Sequence, residues 1–592
     1  MIIPIVREYF RGLRERDELD VIVPELLTGM GFEVVSRPMT GTRQYGADVI
    51  AIGNDADGIR KLFLFSIKRG DLTRREWNGH DQALRPSLEE IRDVVLRNRA
   101  PDHRDLPVVI CITLGGVVPE NMQPLVNGYK DDNARPGLSY QVWTGDTLTG
   151  KILEGALREE MFSGELRAML RKSAAMVDEP DVSISYFSSL IDKVAASQET
   201  AVMRVRILYL ALWILFVWGR DSGNLDAPYE ASELVTLRAW DLLWDEIEND
   251  DGRKLEASHV FFEVVQLHLR IWDALYGEKI LPHAGTNHAL SLAVGSQSAI
   301  DINHALFETA GRVAMGGLWR LWMEVGQGEA PRLQDKDGRA AQIATQLARM
   351  PATNPTLLSP MTDEKAIDLS LAFLLLTAVA STRSMTLDWA RHTAQRTMFA
   401  YTHHGHYPTV DNSYAYQLRH PAARTDEYRK DATSGSILMP LLAMIGWAYR
   451  DDELVGGIGS FQQEKMAHTN FQTWVPNART EDRLWRGDRY HGSSLGSLTV
   501  GEDGGPLIKA LRAEASANPD YPALSAIRLE HWPVLLLACR HHRLPVPPQL
   551  WIRILDELRS EEENPQGNAQ DWVEPSSGEI DVPVSAPQQA TT

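Results

Sequence analysis

The sequence predicts an α/β N-terminal domain with a mixed sheet, followed by a large, mainly α-helical region. Helix and strand signals alternate over residues 1–172, whereas residues 186–560 carry long helical stretches with few strand signals. The composition, 44% hydrophobic and 24% charged, is that of a chain that buries apolar cores. With 592 residues, the chain is too long for one ordinary domain.

The N-terminal domain has the predicted element order αβββαβαβα. A first helix pattern ends at Gly29 or Gly31, and later helix patterns cover 81–98 (starting or kinked near Pro86), 119–129 and the residues after 145. The strand candidates are 32–36, 48–52, 61–68, 106–113 and 138–143. This order predicts a mixed sheet covered by helices.

Breaks in the pattern suggest where domains begin and end. The segment 173–185, SAAMVDEPDVSIS, predicts a boundary between the α/β domain and a helical sensor or partner-binding region at 186–560. Three prolines within 350–362 predict a division of that region. Residues 561–592 contain seven acids and no Lys or Arg, which predicts a disordered tail.

The longest apolar run is ILYLALWILFVWG, residues 207–219. It spans 13 residues between Arg206 and Arg220, whereas a bilayer needs about 20. We therefore expect a buried helix and no membrane partner. The charged N-terminus has no apolar signal segment, and Cys111 and Cys539 form neither a metal motif nor a disulfide framework. Both features predict a cytoplasmic protein.

The charge of the chain is unevenly distributed. The net charge is −20, of which residues 1–172 carry −2 and the remainder −18. One short stretch is basic, with a single acid, Asp71, among the six cations Arg60, Lys61, Lys68, Arg69, Arg74 and Arg75. Such a strip can bind a polyanion, although a solvated loop is an equal alternative on charge alone.

Polar side chains occur at one end of the predicted hairpin formed by 48–52 and 61–68. Antiparallel pairing would place Asp48, at the start of the first strand, beside Ser66 and Lys68, at the end of the second. A carboxylate there could hold Mg²⁺ or Mn²⁺, and a lysine could balance charge on a phosphate. The structural alternative is an Asp48–Lys68 ion pair that closes the strand end.

These segments resemble the PD-(D/E)xK nuclease superfamily, and most closely its Mrr-like restriction-endonuclease branch. The matching features are the leading helix, GMGFEVV, the loop GTRQYGAD and the apolar strand that ends in SIKRG. The resemblance covers residues 15–155 and implies a restriction-endonuclease-like fold. The predicted element order agrees with it.

The resemblance implies roles for individual residues. Asp48 would bind the metal and Lys68 would be catalytic, while the backbone carbonyl of Ile67 would be a further metal contact. Glu25 on the first helix would be an additional carboxylate near the metal, with a solvent-facing glutamate as the alternative. Phosphate contacts are expected from a set of flanking arginines: Arg43, Arg69, Arg74 and Arg75.

Ser66 departs from the family pattern, which has Glu, Asp or Gln at this position. Serine is a weaker metal ligand, and three interpretations follow. Glu25 compensates, or metal affinity stays low until nucleic acid or a partner completes the site, or the domain binds nucleic acid without cleaving it. We rank them in that order.

The sequence thus predicts a Mg²⁺- or Mn²⁺-dependent endonuclease that acts on DNA in bacterial restriction or anti-phage defence. A non-catalytic nucleic-acid-binding or scaffold protein on a decayed nuclease fold is the competing class. A third interpretation, a nucleotide-dependent switch, depends on GDTLTGKI (145–152), which lacks the Ser or Thr that a P-loop needs after its lysine, Lys151. The histidines near 403–420 have no cysteine nearby and are interpreted as a polar loop.

Overall fold

The computed structural model describes most of the chain and divides it into two compact units, Met1–Glu278 and Lys279–Thr592. The described residues are 10–11, 15, 19–36, 45–80, 82–98, 103–155, 164–249, 254–325, 330–333, 338–404, 407–418, 425–487 and 492–563.

The first unit contains a five-stranded mixed sheet, as the sequence predicts. Its strands lie in the order β1-β2-β3-β4-β5. The pairs β1–β2 and β2–β3 are antiparallel, whereas β3–β4 and β4–β5 are parallel. The strands are β1 (Glu33–Ser36), β2 (Val49–Asn54), β3 (Arg60–Lys68), β4 (Val108–Leu114) and β5 (Leu138–Trp143).

Helices connect and cover these strands in the predicted order. They are α1 (Asp20–Gly29), α2 (Arg74–Asn78), α3 (Leu84–Glu90, continued by a π-helical turn at Ile91–Val95), α4 (Gln123–Asn133) and α5 (Gly145–Gly155). On one sheet face, Leu62 and Leu64 of β3 join a core with Leu84, Leu88 and other helical residues. On the other face the rings of Phe63 and Phe65 pack against Phe32 and Trp143, with centroids 5.1 and 5.0 Å apart.

Five further helices complete the first unit: α6 (Gly164–Ala175), α7 (Pro180–Ala195), α8 (Ala201–Ser222), α9 (Asp226–Glu248) and α10 (Lys254–Trp272). Helix α8 contains the predicted apolar run. By length and composition it could cross a membrane, but 61% of its most apolar 18-residue window is buried inside the protein. This burial agrees with the expected core helix of a soluble protein.

The second unit is mainly helical. Its helices are α11 (Ala289–Ala293), α12 (Ala299–Val325), α13 (Arg339–Thr353), α14 (Ala366–Ala378), α15 (Arg383–His404), α16 (Tyr414–Leu418), α17 (Asp426–Ala432), α18 (Leu438–Ala448), α19 (Asp452–Glu464), α20 (Thr480–Leu484), α21 (Gly505–Ala517), α22 (Asp520–Ala523), α23 (Ser525–Arg528), α24 (Trp532–His542) and α25 (Pro548–Glu563). Four short strands form two small sheets: β6 (Gly435–Ser436) with β7 (Asn470–Phe471), and β8 (Thr473–Val475) with β9 (Ser493–Leu495).

The predicted boundaries lie elsewhere than the division between the units. Segment 173–185 falls on α6 and α7, inside the first unit, which continues to Glu278. The proline segment 350–362 lies inside the second unit, where Pro351 is in the last turn of α13 and Pro355 begins a 3₁₀ turn. The predicted tail begins three residues early, because α25 extends to Glu563; the rest of it lies outside the described residues.

Candidate active site

The predicted hairpin pairing is confirmed, and it brings Asp48 to the end of β3. Strands β2 and β3 pair with Val49 opposite Phe65, so Asp48 lies one position further on, opposite Ser66. The Asp48 N–H donates to the Phe65 carbonyl at 2.8 Å. The Ile67 N–H in turn donates to Asp48 Oδ2 at 2.7 Å. The carboxylate therefore replaces a backbone acceptor and is held against the backbone of Ile67.

Lys68 has a partner that the sequence did not suggest. Its side chain is buried, with the residue 6% exposed, and its Nζ lies 2.7 Å from Glu15 Oε1. The direct ion pair is thus Lys68–Glu15, and the Asp48–Lys68 pair expected under the structural alternative is not formed. The charge of Lys68 still acts on Asp48 and favours its ionised form.

The electrostatics of the site are dominated by the burial of Asp48. The pKa of Asp48 is raised from 3.8 to about 6, chiefly by burial and to a smaller extent by the nearby charges of Glu15 and Asp20. The Ile67 hydrogen bond and Lys68 act in the opposite direction. The carboxylates of Glu15 and Asp20 and the ammonium group of Lys68 thus all act on the buried Asp48. Such an arrangement favours the binding of an additional cation.

Ser66 lies between these charged groups in the register of the sheet. It is fully buried, and its hydroxyl has no hydrogen-bond partner among the described residues. Buried polar atoms are normally paired, so this orphaned hydroxyl is a polar atom that a ligand or water would satisfy.

Two of the predicted site residues lie wholly or partly outside the described structure. Arg43 is outside the described residues, and so is the side chain of Glu25, although its backbone belongs to α1. Sequence reasoning missed Glu15 and Asp20. Asp20 begins the same helix as Glu25 and could have been weighed beside it. Glu15 gave no signal, because its partner Lys68 is 53 residues away.

The basic strip is divided by ion pairs. At the start of β3, Arg60 contacts Glu33 at 2.9 Å, and Lys61 contacts Asp55 at 2.8 Å and Asp57 at 2.5 Å. That end of the nine-residue strand is roughly 25 Å from Lys68. Three arginines beyond the other end of β3 are exposed and form no ion pair within the described parts of the chain: Arg69, Arg74 and Arg75. These cations can still contact a polyanion.

The residues present fit a hard divalent cation. Asp48 Oδ1 accepts no hydrogen bond from a described residue, and Ser66 adds a free hydroxyl oxygen beside it. No three His, Cys, Asp or Glu side chains in the described ranges enclose a metal ion. Mg²⁺ keeps several waters and commonly uses only one or two protein carboxylates, so it does not need such a cluster.

Two other sequence motifs, the incomplete P-loop and the histidine-rich segment, have structural roles outside the candidate site. Residues 145–152 lie entirely in α5, capped by the Thr144 hydroxyl, which accepts from the Thr147 N–H at 3.3 Å. Thr144 is therefore the capping residue of α5. Lys151 lies 4.2 Å from the Trp143 ring centroid. In the histidine-rich segment His403 stacks on Phe399, while His406 and His420 lie outside the described residues.

Comparisons with known proteins found no match to this chain. No protein-family model matches this chain, and the comparisons with curated proteins and with solved structures found no match either. The chemistry of the chain is therefore inferred from the site alone.

Proposed function

We propose that the first unit is a metal-dependent phosphodiesterase that cleaves DNA. The observation that carries the proposal is the juxtaposition of Asp48 and Lys68 at the end of one hairpin, with the unpartnered Ser66 hydroxyl between them. The parallel strands β3 and β4 end here, and the carboxyl ends of parallel strands are a common place for active sites in α/β folds.

The architecture supports the PD-(D/E)xK resemblance. An antiparallel hairpin that continues through parallel strands, preceded by one helix and interleaved with others, has the element order expected of that superfamily. Under this proposal the sheet is a restriction-endonuclease-like fold. The motif positions then coincide with Asp48, Ile67 and Lys68.

Each residue has a distinct chemical role. Asp48 would hold a divalent cation, with Glu15, Asp20 or Glu25 as further carboxylates and the Ile67 carbonyl as a backbone ligand. A bound cation polarises the phosphate and makes water more acidic. Lys68 would orient the attacking water and stabilise charge that develops on the phosphoryl oxygens. Its burial strengthens that interaction, because the local dielectric constant is low.

Substrate contact would come from Arg69, Arg74 and Arg75, beyond the end of β3. Arg69 directly follows Lys68 in sequence, Arg74 and Arg75 begin the next helix, and all three are exposed. Contacts to phosphate hold a nucleic acid in place without reading its bases. The helical parts of the chain would sense a trigger or bind a partner protein in restriction or anti-phage defence in the cytoplasm. The excess of acidic residues in these helical parts would disfavour the binding of DNA to their surface.

A second candidate is a nucleic-acid-binding protein that no longer cleaves. Ser66 favours it, because the hydroxyl replaces a charged metal ligand. This candidate predicts DNA binding that survives EDTA and the absence of products with any divalent metal.

The proposal is tested by incubating plasmid DNA with the purified full chain in Mg²⁺ or Mn²⁺. We expect nicking or linearisation that Asp48→Asn and Lys68→Met abolish and that Asp57→Asn, at the far end of the hairpin, leaves unchanged. Cleavage that survives both site substitutions would contradict the proposal. DNA binding without cleavage under all metals would support the second candidate.

A further inference from the structure

The candidate site contains one carboxylate, Asp48, immediately before β2, and none on β3. Ser66, opposite Asp48, is fully buried and its hydroxyl is unpartnered within the described chain. An unsatisfied buried polar group is unfavourable, so a ligand or water is expected to contact it. A hydroxyl supplies an oxygen but no charge, and a divalent cation here needs a second carboxylate from another part of the fold.

Glu15 is placed to supply that carboxylate. Its Oε1 lies 2.7 Å from Lys68 Nζ, and its side chain is 32% exposed, so one side of it faces the buried ammonium and the other is accessible. Lys68 lies two positions after Ser66 on the same strand, and alternate residues share a face. The Glu15 contact therefore lies on the face that carries the orphaned hydroxyl.

A carboxylate has two oxygens, and Lys68 uses one of them. Glu15 Oε2 forms no hydrogen bond or ion pair with a described residue. Glu15 can therefore hold the ammonium through Oε1 while it offers Oε2 to a cation. The charge balance agrees: Glu15 and Asp48 together exceed Lys68 by one negative charge, so an additional cation is electrostatically favoured there.

We propose that Glu15 is the second carboxylate of the cation site, in place of the acidic side chain that β3 lacks at position 66, and that the same residue positions Lys68. This inference rests on the proposed function. It assigns a residue that precedes α1 to the catalytic machinery, and it makes cation binding and lysine placement depend on one side chain.

The test measures how tightly the full chain binds Mn²⁺ in the absence of nucleic acid. Electron paramagnetic resonance of the free Mn²⁺ gives the bound fraction. We expect Glu15→Gln to weaken binding by about tenfold or more, as loss of a ligand or of its support typically does. The matched control is Glu33→Gln, since Glu33 pairs with Arg60 at the other end of β3. It should bind Mn²⁺ within about twofold of the parent, on the ordinary scale of surface changes.

A second variant separates the two roles of Glu15. Lys68→Met removes the ammonium that competes for Glu15, so this variant should bind Mn²⁺ more tightly than the parent. Adding Glu15→Gln to Lys68→Met should then weaken binding again. If Glu15 serves only as the counter-ion of Lys68, the second substitution will change nothing in that background, and the inference is wrong.

The outcomes also distinguish this inference from the proposed function. If the parent binds no Mn²⁺, or Asp48→Asn binds it normally, the metal site itself is refuted. If Asp48→Asn abolishes binding while Glu15→Gln matches Glu33→Gln, only the role of Glu15 is refuted. Thermal unfolding of each variant, with Glu15→Asp as a charge-retaining alternative, checks that a loss of binding is not a loss of fold.

Discussion

At the scale of single residues, the raised pKa of Asp48 implies that this side chain lowers the stability of the metal-free protein. In the unfolded chain the carboxyl titrates near 3.8, whereas in the folded protein it titrates near 6. At a pH between these two pKa values, the Asp48 carboxyl is largely protonated in the folded state and largely ionised in the unfolded state. The contribution of Asp48 to stability is therefore most favourable below pH 4 and falls as pH rises through 6.

We accordingly expect Asp48→Asn to stabilise the protein at pH 8 in EDTA, by roughly 1–3 kcal/mol, while it abolishes cleavage. The gain should shrink as pH falls to 5. Denaturant unfolding at the two pH values measures it. Asp57→Asn is the contrasting control, because Lys61 lowers the pKa of Asp57 and its removal cannot stabilise the protein at pH 8. A destabilised Asp48→Asn at pH 8 would show that the carboxylate is well solvated.

The exposed arginines give a second prediction at this scale. Replacing Arg74 or Arg75 with Gln should weaken DNA binding and reduce the slope of log affinity against log salt by about 0.9 for each phosphate that the protein no longer neutralises. Arg60→Gln should leave the slope unchanged, since Arg60 is paired with Glu33 away from the site. Fluorescence anisotropy with a labelled duplex at several salt concentrations gives these slopes. Equal slopes in all variants would place the DNA elsewhere.

At the scale of elements, the sequence was most informative where periodicity is local. All five strands of the N-terminal sheet lie within two residues of their predicted bounds. The apolar alternation and the turn residues that define a strand are local features, so the sequence around each strand is sufficient to predict it. The long helical stretches predicted within 186–560 are interrupted in the structure, and one interruption lies at Val379–Thr382, between α14 and α15. There the Thr382 hydroxyl donates to the Leu376 carbonyl and Arg383 donates to the Thr377 carbonyl, at 2.9 and 3.1 Å, which ends α14.

The candidate site could be predicted only in part, for the same reason. Asp48 and Lys68 belong to one hairpin, so turn geometry alone brings them together. Glu15 reaches Lys68 through packing of a separate segment, and the local pattern around residue 15 is unrelated to that contact. The dependence on long-range packing is general: hydrophobic periodicity identifies which residues face a core, but not which other segment contributes to it.

In the second unit, a buried aspartate caps a helix that is distant from it in sequence, and the contribution of this cap to stability can be measured. Asp363 accepts hydrogen bonds from the Ser436 hydroxyl and the Ile437 N–H, both at 2.6 Å, and from the Leu438 N–H at 3.3 Å. It thereby caps α18 from a segment more than 70 residues away. Helix N-termini carry unpaired N–H groups, and a buried one needs such an acceptor.

Asp363→Ala should therefore destabilise the second unit by about 2–4 kcal/mol, as it leaves three buried donors unpaired. Asp363→Asn retains one acceptor oxygen and should cost less. Differential scanning calorimetry of the full chain measures both, and DNA cleavage at a temperature below unfolding should be unaffected. Asp426→Ala, at an exposed first turn, is the control and should change stability by less than about 0.5 kcal/mol. Similar effects of the two Ala variants would contradict the cap.

At the scale of the whole molecule, the change in sequence pattern does not coincide with the division between the two compact units. The sequence switches from mixed to helical near 173–185, yet polar contacts join the helices on both sides of that segment. The Ser173 and Ser183 hydroxyls lie 3.1 Å apart between α6 and α7, and the Ser183 hydroxyl donates to the Ser173 carbonyl at 2.9 Å. Composition predicts which elements form, whereas shared cores decide which elements unfold together.

Truncation tests this division directly. A chain of residues 1–278 ends between helices and keeps α6–α10 with their buried partners, so it should fold and unfold in one cooperative transition. A chain of residues 1–172 ends inside α6 and exposes Leu166 and Leu170, which are buried in the full protein, so it should aggregate or lose cooperativity. Because the Asp48–Lys68 site lies wholly within the longer fragment, that fragment should also bind Mn²⁺ as the full chain does. A well-folded 1–172 fragment beside an unfolded 1–278 fragment would instead place the boundary where the sequence pattern changes.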